Sequence, residues 1–325
     1  MKAHAIRFSR TGGPEVLSYD EVDVADPGEG QVLLRQTAIG VNYIDTYYRS
    51  GLYPMALPSV LGQEGSGVVE KIGKGVKGLK RGDRVAYASS PTGSYATWRL
   101  MPAARVVKVP KEIDDKTAAK MMLQGMTAEY LLHRTYKVKK GDTILVHAAA
   151  GGMGLILCQW AKALGATVIG TASTDENAEL ARKHGCNYPI VYSREDFAAR
   201  VKEITKGKGV PVVYDGVGKD TWPKSLDCLQ PRGLMISFGN ASGPLPAINT
   251  GDLNQRGSLF FTRPTMGHYT ATRPDLELSS GRVMAAIKSK KLKIKINQTY
   301  PLKDAAQAHR DLESRKTTGA ILLLP

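Results

Sequence analysis

Cysteine is scarce in this chain of 325 residues, with only Cys158, Cys186 and Cys228. An odd number at wide spacing gives neither a disulfide framework nor a C-x-x-C metal knuckle, and it fits a reducing, cytoplasmic setting. The six histidines, His4, His133, His147, His184, His268 and His309, show no zinc-ligand spacing. No segment reaches the roughly 18 consecutive apolar residues that a membrane span requires. The opening "MKAHAIRFSRTGG" is basic but has no apolar run of signal-peptide length, which argues against export. Acidic residues are outnumbered, 30 against 45 Lys and Arg, for a formal charge of +15. That excess raises nucleic acid as a partner. The basic residues are dispersed, however, and no RNA- or DNA-binding motif accompanies them, so nucleic acid is disfavoured. A basic surface equally attracts an anionic cofactor. The densest cluster, "KSKKLKIKI" (Lys288 to Ile296), alternates lysine with Leu292, Ile294 and Ile296. Its period of two predicts a strand with one buried and one solvated face.

The first third holds short strand-like pieces punctuated by glycine and proline, such as "KAHAIRF", "QVLLRQTAIGV", "GSGVVEKI" and "DRVAYA". This is the texture of a mostly-β unit. From about Asp114, "DKTAAKMMLQGMTAEYLLHRTY" has helical apolar recurrence and reads as a connector. Strands and helices then alternate from "TILVHA" to "GLMISFG", the pattern of a doubly wound parallel sheet. The last segment adds a helix and an apolar strand that return to the first domain. The fold class is therefore α/β, with boundaries expected at 1–125 completed by 266–325 for the mostly-β domain, and 126–265 for the parallel-sheet domain.

"HAAAGGMG" lies where a strand hands over to a helix. Against G-x-G-x-x-G it reads Ala149-x-Gly151-x-x-Gly154, with alanine in the first glycine's place. Gly151 lets the backbone approach a pyrophosphate, and Gly154 lets helix and sheet pack closely. Free N–H groups at the helix start, here those of Gly152 and Met153, then favour the anion. The second strand ends in Gly170-Thr171-Ala172-Ser173-Thr174, small and neutral, where an NAD site places a carboxylate for the ribose hydroxyls. That absence favours NADPH. Ser173 and Glu176 also have the spacing of a helix capping box.

These motifs carry a family resemblance. "GDTILVHAAAGGMGLILCQWAK" resembles the signature of the quinone oxidoreductase and zeta-crystallin group of the medium-chain dehydrogenase/reductase superfamily. "AIGVNYIDTYYRSGLYP" and "LGQEGSGVVEKIG" precede it, and "VVYDGVG", "SLDCLQPRGLMISFGN" and "LESRKTTG" follow, in the family's order over essentially the whole chain. The resemblance implies a GroES-like catalytic domain, a Rossmann cofactor domain and a cleft between them. Zinc alcohol dehydrogenases of the superfamily carry ligands where this sequence has Gln63 and Asn42, so no metal is expected. Glu64 is expected to be a buried, paired carboxylate, and Gln63 a cleft-side or turn hydrogen-bonding group. Without a Lewis acid, the acceptor must itself be electrophilic, as a quinone or conjugated enone is.

By matching position, Asn42, Tyr47 and Tyr53 are placed near nicotinamide and acceptor, with Asn42, Tyr53 and Gln63 as catalytic candidates. Loop packing is the competing reading for each tyrosine. Tyr130 resembles a cofactor neighbour. Ser173, Asn177, Tyr192 and Arg315 correspond to the region that binds the 2′-phosphate, although relatives place lysine at Asn177. Val217, Phe238, Gly239, Asn240, Thr265, Met266 and Gly267 are expected to flank the nicotinamide half. "GSLFFTR" (Gly257 to Arg263) resembles an edge strand that pairs across a homodimer. The function implied is NADPH-dependent quinone reduction. An enone or alkenal reductase, and a non-catalytic NADPH-regulated RNA-binding or crystallin-like protein, are the alternatives. The neutral end of the second strand predicts that NADPH binds more tightly than NADH in a direct titration. Tighter NADH would contradict that reading.

Overall fold

The alternating apolar residues of the first third form β1 (Lys2–Phe8), β2 (Ser18–Asp23) and β3 (Gln31–Val41), then helix α1 (Tyr43–Ser50). Strands β4 (Ser59–Val60), β5 (Glu64–Ile72), β6 (Arg84–Ala88), β7 (Trp98–Pro102) and β8 (Val107–Lys108) follow. The computed structural model describes residues 1–89, 91–314 and 317–325. It divides into two units, the first comprising 1–126, 270–289 and 294–325 and the second 127–269 and 290–293. In the first unit, β3 is the organising strand. It pairs antiparallel with β5 and β7, and β5 pairs with β6. Val32 and Leu34 of β3 pack with Val69, Val85, Tyr87 and Met101 in one buried cluster. Ile39 and Val41, further along, pack with Ile6, Phe8 and Leu61 in another.

Helix α2 (Asp115–Tyr130) ends in a π-helical turn, Leu131–Thr135. The second unit then alternates β9 (Thr143–Val146), α3 (Gly152–Ala163), β10 (Thr167–Ala172), α4 (Asp175–Lys183), β11 (Tyr188–Val191), α5 (Phe197–Ile204), β12 (Val210–Asp215) and β13 (Leu229–Ser237). It finishes with α6 (Thr250–Gln255), β14 (Phe260–Thr262) and α7 (Met266–Tyr269). The strands form a parallel sheet in the order β11-β10-β9-β12-β13-β14. The chain therefore winds outward from β9 and restarts on its other side at β12. This is the Rossmann order, and it opens a crevice at the strands' carboxyl ends. Leu145, Ile169, Ile190, Val213 and Met235, one from each of five strands, share a core with Phe197, Val201 and Trp222.

Helix α8 (Arg273–Lys288), β15 (Ile296–Pro301), α9 (Ala305–Glu313) and β16 (Ala320–Leu324) return the chain to the first unit. There β16 pairs antiparallel with β3 and parallel with β15. The fold is thus a GroES-like mostly-β domain joined to a Rossmann domain. Among the described residues, no helix is long and apolar enough to cross a membrane.

One expectation fails locally. Lys288 to Ile296 is not a strand. Lys288 ends α8, Lys290 takes a left-handed φ of 58°, and β15 begins only at Ile296. The alternation of burial survives, since Leu292 is buried and its lysine neighbours are exposed. Strand pairing is reached only at Lys295 O, which accepts from Ala320 N of β16 at 2.7 Å, whereas Lys293 is served by a side chain. The Gln159 amide donates to Lys293 O at 3.1 Å and accepts from Lys293 N at 3.0 Å. A side chain thus satisfies polar groups that period-two patterning assigns to a neighbouring strand.

Candidate functional site

In the second unit, the chain leaves β9 through Ala148, whose φ of 51° is left-handed, and enters α3 at Gly151. Gly154 is required by close approach, because a Cβ there would sit 2.2 Å from Ala148 O. At Gly151 the same oxygen would be 3.2 Å away. The first bond of the helical ladder is Leu155 N to Gly151 O at 2.9 Å. The N–H groups of Gly152, Met153 and Gly154 therefore precede the ladder and point where an anion would sit. Beneath this turn, buried His147 contacts Thr171 Oγ1 at 3.0 Å and Ser225 Oγ at 2.9 Å. Burial lowers its pKa, which keeps the imidazole neutral.

Most of the other expected cofactor residues of this unit also lie at or just beyond the carboxyl ends of strands, Tyr130 at the end of α2 excepted. Ser173 follows β10, and its hydroxyl accepts from Asn177 Nδ2 at 3.0 Å. Tyr192 follows β11, bonded through its N–H to Ala172 O at 3.1 Å and exposed on the surface. The anticipated Ser173–Glu176 capping box does not form. The helix starts one residue later, with Thr174 Oγ1 accepting from Asn177 N at 3.2 Å, which frees Ser173 to meet Asn177. Asp175 does not stand as a free carboxylate there, since Arg194 clamps it through two bonds of 2.6 Å. Arg315 lies outside the described residues.

At the end of β12, fully buried Asp215 accepts from Val217 N at 2.7 Å, Gly218 N at 3.1 Å and Thr221 Oγ1 at 2.6 Å. This fixes the Val217 turn. Phe238 N bonds back to Asp215 O at 2.8 Å, aligning Phe238, Gly239 and Asn240 beside it. Asn240, its amide oriented by its neighbours, accepts from Arg263 Nη2 at 3.2 Å. Thr265, Met266 and Gly267 lead into α7, whose Tyr269 stacks on Tyr130 with centroids 4.3 Å apart. Tyr130 is buried, and burial raises its phenol pKa further above the ordinary value.

In the first unit, the glycine-rich stretch around Gln63 and Glu64 surrounds a buried ion pair. Glu64 is 0% and Lys120 1% exposed, with Lys120 Nζ 3.0 Å from Glu64 Oε1. Asn42 Nδ2 donates to the same oxygen at 2.8 Å, and Leu123 N donates to Glu64 Oε2 at 2.8 Å. Lys120 also donates to Val41 O at 2.7 Å and to Asn42 Oδ1. Glu64 is the buried, paired carboxylate expected of it. Gly40 makes room for it, since a Cβ there would lie 2.5 Å from Glu64 Oε1. By matching position, Asn42 is expected near the nicotinamide and acceptor. Its amide is held at both ends within this network, and the residue is 4% exposed. Gln63, equally buried at 4%, offers its carbonyl to Ser89 N at 2.7 Å.

Helix α1, which starts directly after Asn42, presents Tyr43 and Tyr47 to a cluster of rings. Tyr47 and Tyr53 meet edge-on at 5.3 Å, and Tyr48 meets Tyr53 at 5.7 Å. Tyr53 N also donates to Tyr47 O at 3.0 Å, closing the turn. Lys120, Asp215 and Asp45 were not anticipated from the sequence. Lys120 did carry a signal, standing as a charged residue inside the apolar run "TAAKMML". The described residues hold no group of three or more His, Cys, Asp or Glu side chains able to grip a metal. At Glu64, the buried carboxylate that accepts from the Asn42 side-chain amide, a lysine ammonium already supplies the positive charge.

The family model described as "Alcohol dehydrogenase GroES-like domain" matches residues 28–111, and "Zinc-binding dehydrogenase" matches 152–278. A quinone oxidoreductase of Pseudomonas aeruginosa is 52% identical, aligned over 99% of this chain and 100% of its own. A 2-haloacrylate reductase of a Burkholderia species is 51% identical over 97% of each. Among solved structures, Escherichia coli quinone oxidoreductase complexed with NADPH superposes with a TM-score of 0.97, at 51% identity over 99% of this chain and 100% of that one.

Breaking the buried pair leaves an uncompensated charge. Lys120→Met is expected to lower folding stability by roughly 3–5 kcal/mol in urea titration. Adding Glu64→Gln should recover part of the loss. A single variant as stable as the parent would show that the pair holds nothing in place.

Proposed function

Because this chain belongs to the quinone oxidoreductase family of the medium-chain dehydrogenase/reductases, we propose that it catalyses NADPH-dependent reduction of quinones. The observation that carries the proposal within this chain is the Lys120–Glu64–Asn42 network. An internal ammonium occupies the polar centre of the acceptor unit, so no Lewis acid is at hand to polarise a simple ketone. An acceptor must then be electron-poor by its own structure.

The residues of the second unit fit the cofactor. Gly152, Met153 and Gly154 offer N–H groups to a pyrophosphate, and Gly154 cannot bear a side chain. Ser173, Asn177 and Tyr192 are assigned to the adenosine end, with Arg315 as its guanidinium. Val217, Phe238, Gly239, Asn240, Thr265, Met266 and Gly267 are assigned to the nicotinamide half, with Tyr130 alongside. NADPH, when bound there, supplies the reducing equivalents. The 127–269 unit is then the cofactor domain, and the remainder is the acceptor domain. Tyr47 and Tyr53 offer ring faces and edges for a flat acceptor. The Gln63 side-chain amide, without a hydrogen-bond partner among the described residues, is assigned to orient it. Asn42 acts from behind, by fixing the start of α1.

A second reading, reduction of a conjugated enone, enal or acrylate, is favoured by the likeness to the 2-haloacrylate reductase. The ratio of kcat/KM on a small quinone and on a conjugated enal separates the two. We further assign the protein to the cytoplasm, where its three buried, unpaired thiols would persist. We also assign homodimer pairing to β14, which ends the sheet and leaves Phe260 60% exposed.

Tyr53→Phe is expected to retain measurable quinone reduction, with solvent protonating the product. Complete loss of turnover with NADPH binding intact would make the phenol an essential acid. Phe260→Lys is expected to convert a dimer to monomer in sedimentation velocity, and an unchanged dimer would place the interface elsewhere.

A further inference from the structure

Helix α1 is gripped at both ends by buried side chains that the reaction itself does not use. At its start, Asp45 Oδ2 accepts from Asn42 N at 2.8 Å and from the Tyr95 hydroxyl at 3.0 Å. Tyr95 Oη lies 3.0 Å from His309 Nε2 on α9, and His309 Nδ1 lies 3.0 Å from Arg49 Nη1 at the helix's other end. Arg49 continues to Glu313 through bonds of 2.6 and 3.0 Å and donates to Gly12 O at 3.1 Å. Asp45, Tyr95 and His309 are 0% exposed and Arg49 is 2% exposed.

The chemistry fixes the direction of every proton. A guanidinium only donates, so His309 Nδ1 must be bare and a neutral ring carries its proton on Nε2. That N–H donates to Tyr95 Oη, which leaves the phenolic proton for Asp45. Donors therefore run one way, Arg49 to His309 to Tyr95 to Asp45. They end on a carboxylate whose other oxygen, Oδ1, is buried without a partner among the described residues.

We infer that Arg49, His309, Tyr95 and Asp45 form one directional hydrogen-bond chain that positions α1, and with it Tyr47 and Tyr53, so that acceptor binding is coupled to the ionisation of Asp45. The groups facing Asp45 are the Asn42 N–H and Tyr48 on α1, Tyr95 ahead of β7, Lys120 on α2 and Glu64 on β5, with His309 on α9 and Arg49 on α1 reaching it through Tyr95. Burial raises Asp45 to about 7, against the pull of Asn42 N, Tyr95 and Lys120. Burial and Arg49 lower His309 to about 3.

These two shifts have opposite consequences. Asp45, raised above its unfolded value, contributes stability that is lost as pH rises from about 4 to about 7. His309, lowered below its unfolded value, contributes stability that is lost as pH falls from 6.5 to about 3. Between about pH 4 and 6.5 folding moves one proton from a histidine to an aspartic acid, and the two slopes cancel.

The test is urea unfolding of the full chain from pH 4 to 8. Relative to the parent, Asp45→Asn is expected to gain stability as pH rises to 6.5, and His309→Gln to lose it. Each change should approach about tenfold in the unfolding constant per pH unit, the effect of one proton. Slopes identical to the parent's in both variants would overturn the inference. Nitrogen NMR of the histidines in the parent needs no variant. His309 should hold its proton on Nε2 and remain neutral at pH 5, and a protonated ring or an Nδ1–H tautomer would refute the chain. The functional arm rests on the proposed quinone reduction. KM for 1,4-benzoquinone should rise below pH 7 in the parent. It should be raised and lose that pH dependence in Tyr95→Phe and Asp45→Asn, with NADPH affinity unchanged in both. Unaltered KM profiles in these variants would remove the positioning role, whereas absence of quinone turnover in the parent would indict the function and leave the stability and NMR results standing.

Discussion

A carboxylate and an ammonium buried from solvent constrain the part of the first unit around Asn42. Lys120 comes from α2 and Glu64 from the start of β5, and both bind the Asn42 amide at the end of β3. Taking two charges out of water costs several kcal/mol per ion unless every lone pair and proton is matched. Here Val41 O, Asn42 and Leu123 N complete the set. The matching requires three elements to keep their mutual positions, and it requires a glycine at position 40. Because α1 begins directly after Asn42, the same pair determines where the tyrosines of that helix can stand.

On the function proposed for this chain, that arrangement also bears on the chemistry. Where a metal would have to find histidine or cysteine, the chain offers the amides of Asn42 and Gln63, and the local positive charge is a lysine held by its own hydrogen bonds. An alcohol or simple ketone gains nothing from such a site. A flat, conjugated acceptor needs only to be held close to a bound reductant, and the ring cluster of Tyr47, Tyr48 and Tyr53 suits that. The likeness to relatives named for quinones and for a haloacrylate fits one requirement, a substrate with a low-lying empty orbital.

The Rossmann half was legible because its information is local. Strand-helix alternation sets the sheet, and the glycine turn falls at the end of β9 within eight residues of sequence. The residues expected around the cofactor in that half, from Gly151 to Gly267, fall at the carboxyl ends of successive strands. What escaped was non-local. Lys120 stands out as a charge in an apolar helical run, but its partner Glu64, 56 positions earlier, is unreadable until the chain folds. Asp45 meets His309 only through Tyr95, from three distant parts of the chain. At Lys288 to Ile296 the alternation of burial was right and the strand wrong, since pattern reports faces and not backbone partners. The direction of the Asn42 amide depends on a lysine that no spacing rule connects to it.

The most direct measurement is NADPH oxidation by protein exhaustively treated with a strong chelator, with 1,4-benzoquinone and a simple aliphatic ketone as parallel acceptors. The account requires full quinone turnover after chelation and negligible ketone turnover throughout. Loss of quinone reduction on chelation, restored by a stoichiometric divalent metal, would contradict it.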